Sequence, residues 1–265
     1  MKSKKNFYKL LLFLLIVGLV IIIWSYISYK TNYQVNKELS EELYNYFTTN
    51  DLESCSGLFN YSDKLVNFES VDSKAKLCIA YQKANKESMA EETLTKDKKA
   101  LTCTKDKMIF RVNDDEKSCT VNKMSKSIIS DEYKKIFGKD IEEAKSFQPD
   151  NMHICYIKGD DLYCGLSETY TYVLGADVDI YRVIEKTIEK SSEIEIYDYF
   201  VKIANDECFL NYTTPDKDIN CTEKLPKDHN IKYKFLKKYG TMYKHIYKKD
   251  DNGNYYWLSS EPIKK

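Results

Sequence analysis

The sequence predicts an α+β fold with an N-terminal transmembrane helix, then helices followed by a curved, mostly antiparallel sheet with disulfides. Three observations lead to this prediction: an uncharged apolar run over residues 10–29, eight cysteines that all follow it, and hairpin patterns concentrated after residue 150. About 20 helical residues span the hydrocarbon core of a bilayer. Because cysteines in exported chains commonly form disulfides, we expect the chain beyond the run on the oxidising side of the membrane.

The charges around the apolar run predict its orientation. Four lysines precede the run and no acidic residue appears before Glu38; the lysines are Lys2, Lys4, Lys5 and Lys9. Positive charge beside the first span keeps that end in the cytoplasm. We therefore expect a single-pass protein of the plasma membrane, with a cytoplasmic tail over 1–9, an anchor over 10–29 and a single extracytoplasmic α+β domain over 30–265. A cleaved signal peptide is the alternative, but the residues around a cleavage site, 24–29, are mostly bulky.

The distribution of charge argues against a nucleic-acid partner. All 41 acidic residues and 37 of the 41 basic residues follow residue 29, so this part carries a formal charge of about −4. A nucleic-acid-binding protein needs a basic face that neutralises phosphates. The expected partners are the membrane, through residues 10–29, and an envelope polymer or protein.

Local sequence supports one disulfide directly. Eight cysteines allow 105 pairings, so local geometry has to select among them. Gly159-Asp160 is typical of a two-residue type II′ hairpin turn, and counting outwards from that turn places Cys155 opposite Cys164. Directly opposed cysteines on neighbouring antiparallel strands lie close enough for a bridge.

The other six cysteines are less constrained. A four-residue loop over 213–216 with a central proline places Cys208 opposite Cys221. Nearest-neighbour pairing would then join Cys55 to Cys78 and Cys103 to Cys119, with Cys78–Cys103 as an open alternative. Zinc is the competing interpretation, but no C-x-x-C or H-x-x-x-H spacing occurs.

Helices dominate the predicted first half of the exported part. Apolar residues recur every fourth position over 31–50, which predicts a helix that can continue directly from the apolar run. We expect irregular structure over 51–69, a second helix over 70–99 and a strand over 108–112. A short helix is expected to begin at Ser130 and to end at Gly138.

Strands dominate the predicted second half. Besides the Cys155 and Cys208 hairpins, strands are expected over 170–174 and 194–204. Residues 177–190 have isoleucines at a helical spacing of four, but nearly all their apolar residues are β-branched, which favours a strand that turns at 190–192. Asn252-Gly253 predicts a type I′ turn between strands over 242–249 and 254–259.

No catalytic or metal-binding motif was found, and no cofactor is expected. Nucleophile elbows, Walker loops, zinc helices and dinucleotide fingerprints are missing from the sequence. Asp250, Asn252, Asn254 and Glu261 match positions 1, 3, 5 and 12 of a calcium loop. Position 6 is Tyr255, where the sharp turn of such a loop needs glycine, so a plain hairpin is favoured.

One basic and aromatic stretch, 227–249, is a candidate surface for anionic envelope polymers or lipid headgroups. The alternative is an edge strand and its neighbours that lysine protects against aggregation. The possible contact residues are Lys232, Lys234, Lys237, Lys238, Tyr239, Tyr243, Lys244 and Tyr247.

Three segments carry a resemblance to a known group of proteins. They are Leu58-Phe59-Asn60-Tyr61-Ser62-Asp63-Lys64, Phe137-Gly138-Lys139-Asp140, and Lys249-Asp250-Asp251-Asn252-Gly253-Asn254-Tyr255-Tyr256-Trp257. With the N-terminal anchor, they resemble uncharacterised single-pass exported membrane proteins of low-GC Gram-positive bacteria, over most of the chain. The resemblance implies no activity and no functional residues. The order of helices and then a curved sheet is also similar to NTF2-like domains, which is an analogy of fold alone.

These observations favour a membrane-anchored extracytoplasmic binding or interaction domain without enzymatic activity. The alternatives are an envelope hydrolase that uses paired carboxylates and an accessory subunit of a membrane complex. A buried carboxylate pair in the largest pocket would favour the hydrolase, whereas an open aromatic groove would favour binding.

Overall fold

The computed structural model describes residues 2–47, 61–86, 89–98, 100–113, 117–142, 145–169, 178–204, 207–209 and 233–263. The chain divides into two compact units, Met1–Asn45 and Tyr46–Lys265. In chain order the elements are α1 (Lys2–Phe47), β1 (Val66–Asn67), a 3-10 turn (Phe68–Ser70), α2 (Ser73–Lys83), β2 (Ala90–Thr95), β3 (Thr102–Lys105), β4 (Met108–Arg111), β5 (Ser118–Ser125), α3 (Lys126–Phe137), β6 (Ser146–Phe147), β7 (His153–Lys158), β8 (Asp161–Leu166), β9 (Val178–Glu189), β10 (Glu193–Ala204), β11 (Glu207–Phe209), α4 (Tyr233–Tyr239), β12 (Thr241–Lys249) and β13 (Tyr255–Ile263).

The first unit is built on α1, one continuous helix of 46 residues. It covers most of the helix expected over 31–50 and joins it to the apolar run without a break. Large apolar side chains from Leu15 to Ile27 are exposed along this helix, and Trp24 is 74% exposed.

No helix in the described residues is both long enough and apolar enough to cross a membrane. Parts of the expected anchor, the side chains at 10–14 and 28–29, lie outside the described residues. The transmembrane helix over 10–29 is therefore not supported by the structure, and the membrane location built on it stays a prediction.

The second unit contains a large sheet, here called the long sheet, with strand order β1-β13-β12-β10-β9. All its pairs are antiparallel, and β11 pairs with β10 beyond the end of β12. The pair β9–β10 confirms the strand expected over 177–190 and its turn at 190–192, because β-branched side chains pack well on a pleated surface. The strand expected over 170–174 lies outside the described residues.

A second sheet has the order β2-β5-β8-β7-β6, and the hairpin β3–β4 packs on one of its faces. The hairpin places Phe110, which is fully buried, over Gly165 of β8. A Cβ at position 165 would lie 2.8 Å from Cδ1 of Phe110, so the missing side chain makes room for the aromatic ring. The hairpin turns through Asp106 and Lys107, both with positive φ.

Two of the predicted disulfides are confirmed. Cys155 and Cys164 are directly opposed on β7 and β8 with Cα atoms 4.1 Å apart, and Gly159 has the positive φ that the predicted turn needs. Cys103 is bonded to Cys119, with Cα atoms 6.0 Å apart, and this bridge ties the β3–β4 hairpin to β5. The alternative Cys78–Cys103 is therefore excluded. Cys55 and Cys221 lie outside the described residues, so the pairs Cys55–Cys78 and Cys208–Cys221 stay predictions.

The mixed α+β class with antiparallel sheets and disulfides is confirmed, but the order of elements differs from the prediction. The helix expected over 70–99 ends at Lys83, because Ala84 is extended and a strand, β2, follows. The helix α3 begins at Lys126, four residues before the expected start at Ser130, and Ser125 caps it; it ends at Gly138 as predicted. Helices and strands alternate, and the strands form separate sheets where one curved sheet was expected.

The last hairpin, β12–β13, is confirmed, but its turn differs from the two-residue type I′ prediction. Lys249 is opposite Tyr255, which leaves residues 250–254 in the loop. Gly253 has a φ of +88°, whereas Asn252 is not left-handed. The carboxylate of Asp250 accepts hydrogen bonds from the backbone N–H groups of Asn252 (2.9 Å) and Asn254 (2.8 Å), so an aspartate turn replaces the expected one.

The two faces of the long sheet are covered by different helices. On one face, Phe137 of α3 meets the ring of Trp257 edge to face, with ring centroids 6.2 Å apart. On the other face, Leu236 of α4 packs in a cluster with Tyr199, Val201 and Ile203. Side chains at alternate positions of each strand are therefore buried on opposite sides, and the long sheet has no fully solvated face in its described centre.

Candidate binding groove and the buried network behind it

A groove of about 340 Å³ lies between the segment β1 to the 3-10 turn, the C-terminal end of α3, and β13. Its volume is at the lower end of the range typical of ligand pockets. The lining is rich in apolar and aromatic side chains, and it consists of Leu65, Asn67, Phe68, Glu69, Phe137, Gly138, Lys139, Tyr256, Trp257, Leu258 and Ser259.

The end of α3 forms one wall of the groove because a glycine ends the helix. Gly138 has a φ of +67°, and its N–H donates to the carbonyl oxygen of Lys134 at 2.7 Å. This left-handed ending is typical of glycine after a helix. The chain then turns sharply enough for the ring of Tyr256 to pack directly on Gly138.

The opposite wall of the groove is the outer edge of β13. The register of β12 and β13 shifts at Leu258, which is the extra residue of a β-bulge. Leu258 is 36% exposed, and Leu65 on the other side of the groove is 52% exposed. Among the described strands, β1 pairs with this edge only at Ser259 and Ser260, so the segment 255–258 has no strand beside it there.

The charges at the rim of the groove neutralise each other. Nζ of Lys139 lies 2.9 Å from Oε1 of Glu69, and the hydrogen bond from Lys139 lowers the pKa of the Glu69 carboxyl. The ammonium groups of Lys139 and Lys76 lie 3.9 and 3.6 Å from the centroid of the Phe68 ring. Lys76 is buried and donates to Glu142 (2.7 Å) and to the carbonyl oxygen of Phe68 (3.2 Å). The 3-10 turn is therefore held by cation–π and ionic contacts on two sides.

Behind the groove, a chain of hydrogen bonds crosses the long sheet. The hydroxyl of Tyr61 lies 2.5 Å from Oδ2 of Asp198, and Oδ1 of Asp198 lies 3.0 Å from Nε2 of His245. Nδ1 of His245 lies 2.7 Å from Oγ of Ser260, which in turn lies 2.9 Å from the indole Nε1 of Trp257. All five side chains are at most 1% exposed.

Chemistry assigns the donor and the acceptor in three of the four contacts of this network. A carboxylate only accepts, so Tyr61 and Nε2–H of His245 both donate to Asp198. The indole of Trp257 only donates, so its N–H donates to Oγ of Ser260. The contact between Oγ of Ser260 and Nδ1 of His245 pairs one donor with one acceptor, and their roles follow from the tautomer of the imidazole.

Aromatic rings surround the network and exclude water from it. The ring of Tyr61 stacks on Phe200 with centroids 4.2 Å apart and meets the ring of Tyr243 edge to face at 4.9 Å. Burial, and then the negative charge of Asp198, raises the pKa of both Tyr243 and Tyr247 far above the usual value of a tyrosine. These phenols therefore stay neutral in the physiological range of pH.

Asp198, His245 and Ser260 have the connectivity of a hydrolase triad, yet their environment is that of a core. In a triad, the serine oxygen must reach a substrate carbonyl. Here Ser260 is 1% exposed, and its oxygen accepts the indole N–H of Trp257. The arrangement therefore joins strands β10, β12 and β13 and has no substrate access.

The sequence has three short acidic clusters, at 114–116, 160–161 and 177/179, and none of their described residues lines the groove. Asp161 pairs with Lys123 at 2.9 Å on the second sheet, and Asp179 is exposed on β9. Residues 114–116 and Asp177 lie outside the described residues. Within the described part of the chain, no three histidine, cysteine or acidic side chains cluster as metal ligands would.

The structure separates the predicted contact residues of 227–249. Tyr243 and Tyr247 are fully buried, since alternate positions of β12 face the core, and their assignment to a surface is corrected. The edge-strand alternative is also wrong, because β12 lies between β10 and β13. Of the others, Lys234, Lys237 and Lys238 are exposed on α4, Tyr239 and Lys244 are half-buried, and Lys232 lies outside the described residues.

Two of these lysines are already paired. Nζ of Lys237 lies 2.8 Å from Oε1 of Glu185, and Nζ of Lys244 lies 3.2 Å from Oε1 of Glu195. Their charges are therefore partly neutralised, which weakens the case for an anion-binding surface at this end of the sheet. The proposed contact role of the remaining residues stays a prediction.

Comparisons with known proteins give no relative for this chain. No protein-family model matches it, and no curated protein is significantly similar. No solved structure matches the fold either. The resemblances drawn from sequence segments therefore stay predictions, and the function has to be inferred from the geometry alone.

Proposed function

We propose that this chain is a membrane-anchored extracytoplasmic binding domain whose groove takes an extended, apolar segment of a partner polypeptide. The observation that carries the proposal is the position of the groove along the outer edge of β13. Over 255–258 this edge has no described strand beside it, and an apolar lining stands next to it.

An extended peptide fits the edge of a sheet because its backbone can complete the hydrogen-bond ladder. Alternate residues of an antiparallel strand direct their N–H and C=O groups away from the existing partner. A strand added at such an edge gains main-chain hydrogen bonds, and its alternate side chains enter neighbouring pockets. The groove beside Tyr256 and Leu258 is suited to receive such side chains.

The charge of the groove favours a neutral segment over an anionic polymer. Glu69 is the one carboxylate and Lys139 the one ammonium in the described lining, and the two are paired with each other. An anionic polymer would need unpaired cations in the groove. The alternative function, an envelope hydrolase with paired carboxylates, would need a second carboxylate there. Neither requirement is met by the described lining.

The proposed anchor rests on the N-terminal sequence. Residues 10–29 carry no charge, four lysines precede them, and the described apolar side chains from Leu15 to Ile27 are exposed. Burial of such a surface in a bilayer removes it from water, and the lysines favour a cytoplasmic N-terminus. A protein tethered in this way would present the groove outside the cell, in the role of a receptor or accessory subunit.

A peptide-display selection tests the binding proposal. The full-length protein in phospholipid nanodiscs is exposed to a library of random ten-residue peptides, with Leu258→Lys as the groove variant. Leu101→Lys is the matched control, because Leu101 is also exposed, at 67%, but lies outside the groove. We expect enrichment of peptides with alternating apolar residues by the wild type and by the control, and loss of enrichment in the groove variant.

Equal enrichment by all three proteins, or no enrichment by any of them, would contradict the binding proposal. Binding of purified wall teichoic acid that survives Leu258→Lys would instead favour the anionic-polymer alternative.

Labelling of intact cells tests the orientation. After mild reduction, a membrane-impermeant maleimide should react with the cysteines of the exported part, because all eight follow residue 29. Labelling that requires lysis of the cells would refute the extracellular location.

A further inference from the structure

We infer that the hydrogen-bond chain Tyr61–Asp198–His245–Ser260 fixes the orientation of the Trp257 indole, which forms the back wall of the groove. These four residues are then positioning residues for the groove, although none of them lines it. The link to ligand affinity depends on the proposed function, whereas the link to the orientation of the indole does not.

The bulge at Leu258 makes this arrangement possible. Side chains three residues apart on a regular strand point to opposite faces of a sheet. Trp257 and Ser260 nevertheless face the same side, since Trp257 is opposite Tyr247 and Ser260 is opposite His245. The extra residue restores the common face, so that the indole N–H reaches the serine oxygen.

The indole has a single polar hydrogen, so the contact with Ser260 determines which way the ring is turned. A ring rotated about its Cβ–Cγ bond would carry this buried N–H away from Oγ of Ser260, and the loss of a hydrogen bond by a buried donor is unfavourable. The edge-to-face contact with Phe137 gives no polar alternative on the other side. The hydroxyl of Ser260 is in turn oriented by His245, and the imidazole by Asp198.

The same network also holds the segment before β1, which brings Leu65 to the lining of the groove. Tyr61 precedes Leu65 and β1 by only a few residues, and its hydroxyl donates to Asp198 in the middle of the long sheet. The network therefore ties two parts of the lining, the segment that leads into β1 and the strand β13, to one buried carboxylate. We expect a change at Asp198 to alter both parts.

Spectroscopy of Trp257 tests this inference without a ligand. The chain contains two tryptophans, so Trp24→Phe leaves Trp257 as the only reporter. In that background we compare Ser260→Ala and Tyr61→Phe with the parent protein in nanodiscs. We expect both variants to lose intensity in the near-UV circular dichroism bands of the indole and to gain acrylamide quenching of its fluorescence, while far-UV circular dichroism is unchanged.

Two further variants separate positioning from a general loss of stability. Ser260→Thr keeps a hydroxyl and should restore the indole spectrum. Ser167→Ala removes an equally buried serine, 1% exposed, that directly follows β8 of the second sheet, and it should leave the spectrum unchanged. Should Ser260→Ala fail to fold, Tyr61→Phe still reports, because it keeps the ring that stacks on Phe200 and removes only the hydroxyl.

Wild-type spectra in folded Ser260→Ala and Tyr61→Phe would overturn the inference, as would the same spectral change in Ser167→Ala. If peptides are selected, their affinity should fall in Tyr61→Phe in parallel with the spectral change. A changed spectrum without any selected peptide would uphold the positioning network and refute only the proposed ligand.

Discussion

Gly138 lies against the ring of Tyr256 so closely that a Cβ at position 138 would be 2.7 Å from Cδ2 of the tyrosine. The position also has a left-handed backbone, with a φ of +67°. Two independent causes therefore exclude a side chain where α3 ends and the groove begins.

We expect Gly138→Ala to destabilise the protein by about 1–3 kcal/mol, because it adds a clash to the cost of a positive φ. Gly159→Ala is the matched control, since Gly159 has a φ of +59° but an added Cβ would meet nothing within 4 Å. Urea unfolding of the full-length protein in detergent measures the free energy of unfolding of the two variants. Equal losses would show that the contact with Tyr256 contributes nothing.

Gly165 and Phe110 form a second pair that a double-mutant cycle can test. We expect Gly165→Ala to cost about 1–3 kcal/mol through overpacking, because the new methyl group would lie 2.8 Å from Phe110 and 3.2 Å from the carbonyl oxygen of Thr120. In the background of Phe110→Leu, Gly165→Ala should lower the free energy of unfolding by less. Additive free energies of unfolding would mean that the ring is not the obstacle.

Non-reducing peptide mapping should recover Cys155 linked to Cys164 and Cys103 linked to Cys119. Replacement of both Cys103 and Cys119 by alanine should lower the free energy of unfolding by about 3 kcal/mol in the chain-entropy model, since the bridge closes a loop between residues 16 apart in sequence. Recovery of Cys155 bonded to another cysteine would show that the register of β7 and β8 is wrong.

Variants in the loop of the last hairpin can show whether this loop has a structural role or binds a metal ion. Gly253→Val should destabilise the protein by about 1–3 kcal/mol, because valine is strained at a φ of +88°. Asp250→Ala should also lower stability, since its carboxylate accepts backbone N–H groups of the loop. Thermal melts with calcium and with EDTA should coincide for the wild type. A calcium-dependent rise in Tm that Asp250→Ala abolishes would revive the calcium-loop alternative.

The ion pairs of Glu195 predict how the free energy of unfolding changes in acid. The hydrogen bond from Lys190, at 2.6 Å, lowers the pKa of its carboxyl below the usual 4.5; burial raises it, and the bonds from Tyr197 and Lys244 lower it further. Because the pKa is lower in the folded state, the stabilisation is complete above about pH 4.5 and is lost as the pH falls through the folded pKa.

We therefore expect Glu195→Gln to destabilise the protein at pH 7 and the difference from the wild type to shrink at pH 3. Glu91→Gln, at an exposed position of β2, is the control for the loss of one glutamate charge elsewhere in the chain. If the free energies of unfolding of the wild type and of Glu195→Gln changed in parallel with pH, the lowered pKa of Glu195 would be contradicted.

Local sequence signals predicted hairpins well because their geometry depends on a few adjacent residues. Gly159-Asp160 placed Cys155 opposite Cys164, and the region around Asn252-Gly253 was recognised as a turn. The type of that last turn was missed, because the side chain of Asp250, outside the two-residue pattern, accepts the backbone hydrogen bonds.

The helix predicted over 70–99 shows where local reasoning fails. Residues 90–95 have a helix-compatible composition, yet they form β2, because pairing with β5 satisfies their backbone groups. Tertiary pairing outweighs a weak helical preference there.

The candidate site was not predicted, since its parts are distant in sequence. Tyr61 and Asp198 are 137 residues apart, and nothing in either local sequence indicates their contact. One signal was available: Tyr243, His245 and Tyr247 alternate along a strand pattern, which is typical of a buried face. That period of two predicts core positions for both tyrosines.

The pairing of β1 with β13 has a consequence for how the protein is made. Val66 is opposite Ser260, so the long sheet joins the beginning and the end of the second unit. During synthesis, the segment around Val66 is made long before its partner strand β13, so its apolar residues stay unpaired until residues 259–260 have been added. Contacts between such distant residues slow folding and prolong exposure to aggregation. We expect this protein to depend on chaperones for folding, and chains cut short before residue 255 to be degraded rather than to accumulate as fragments.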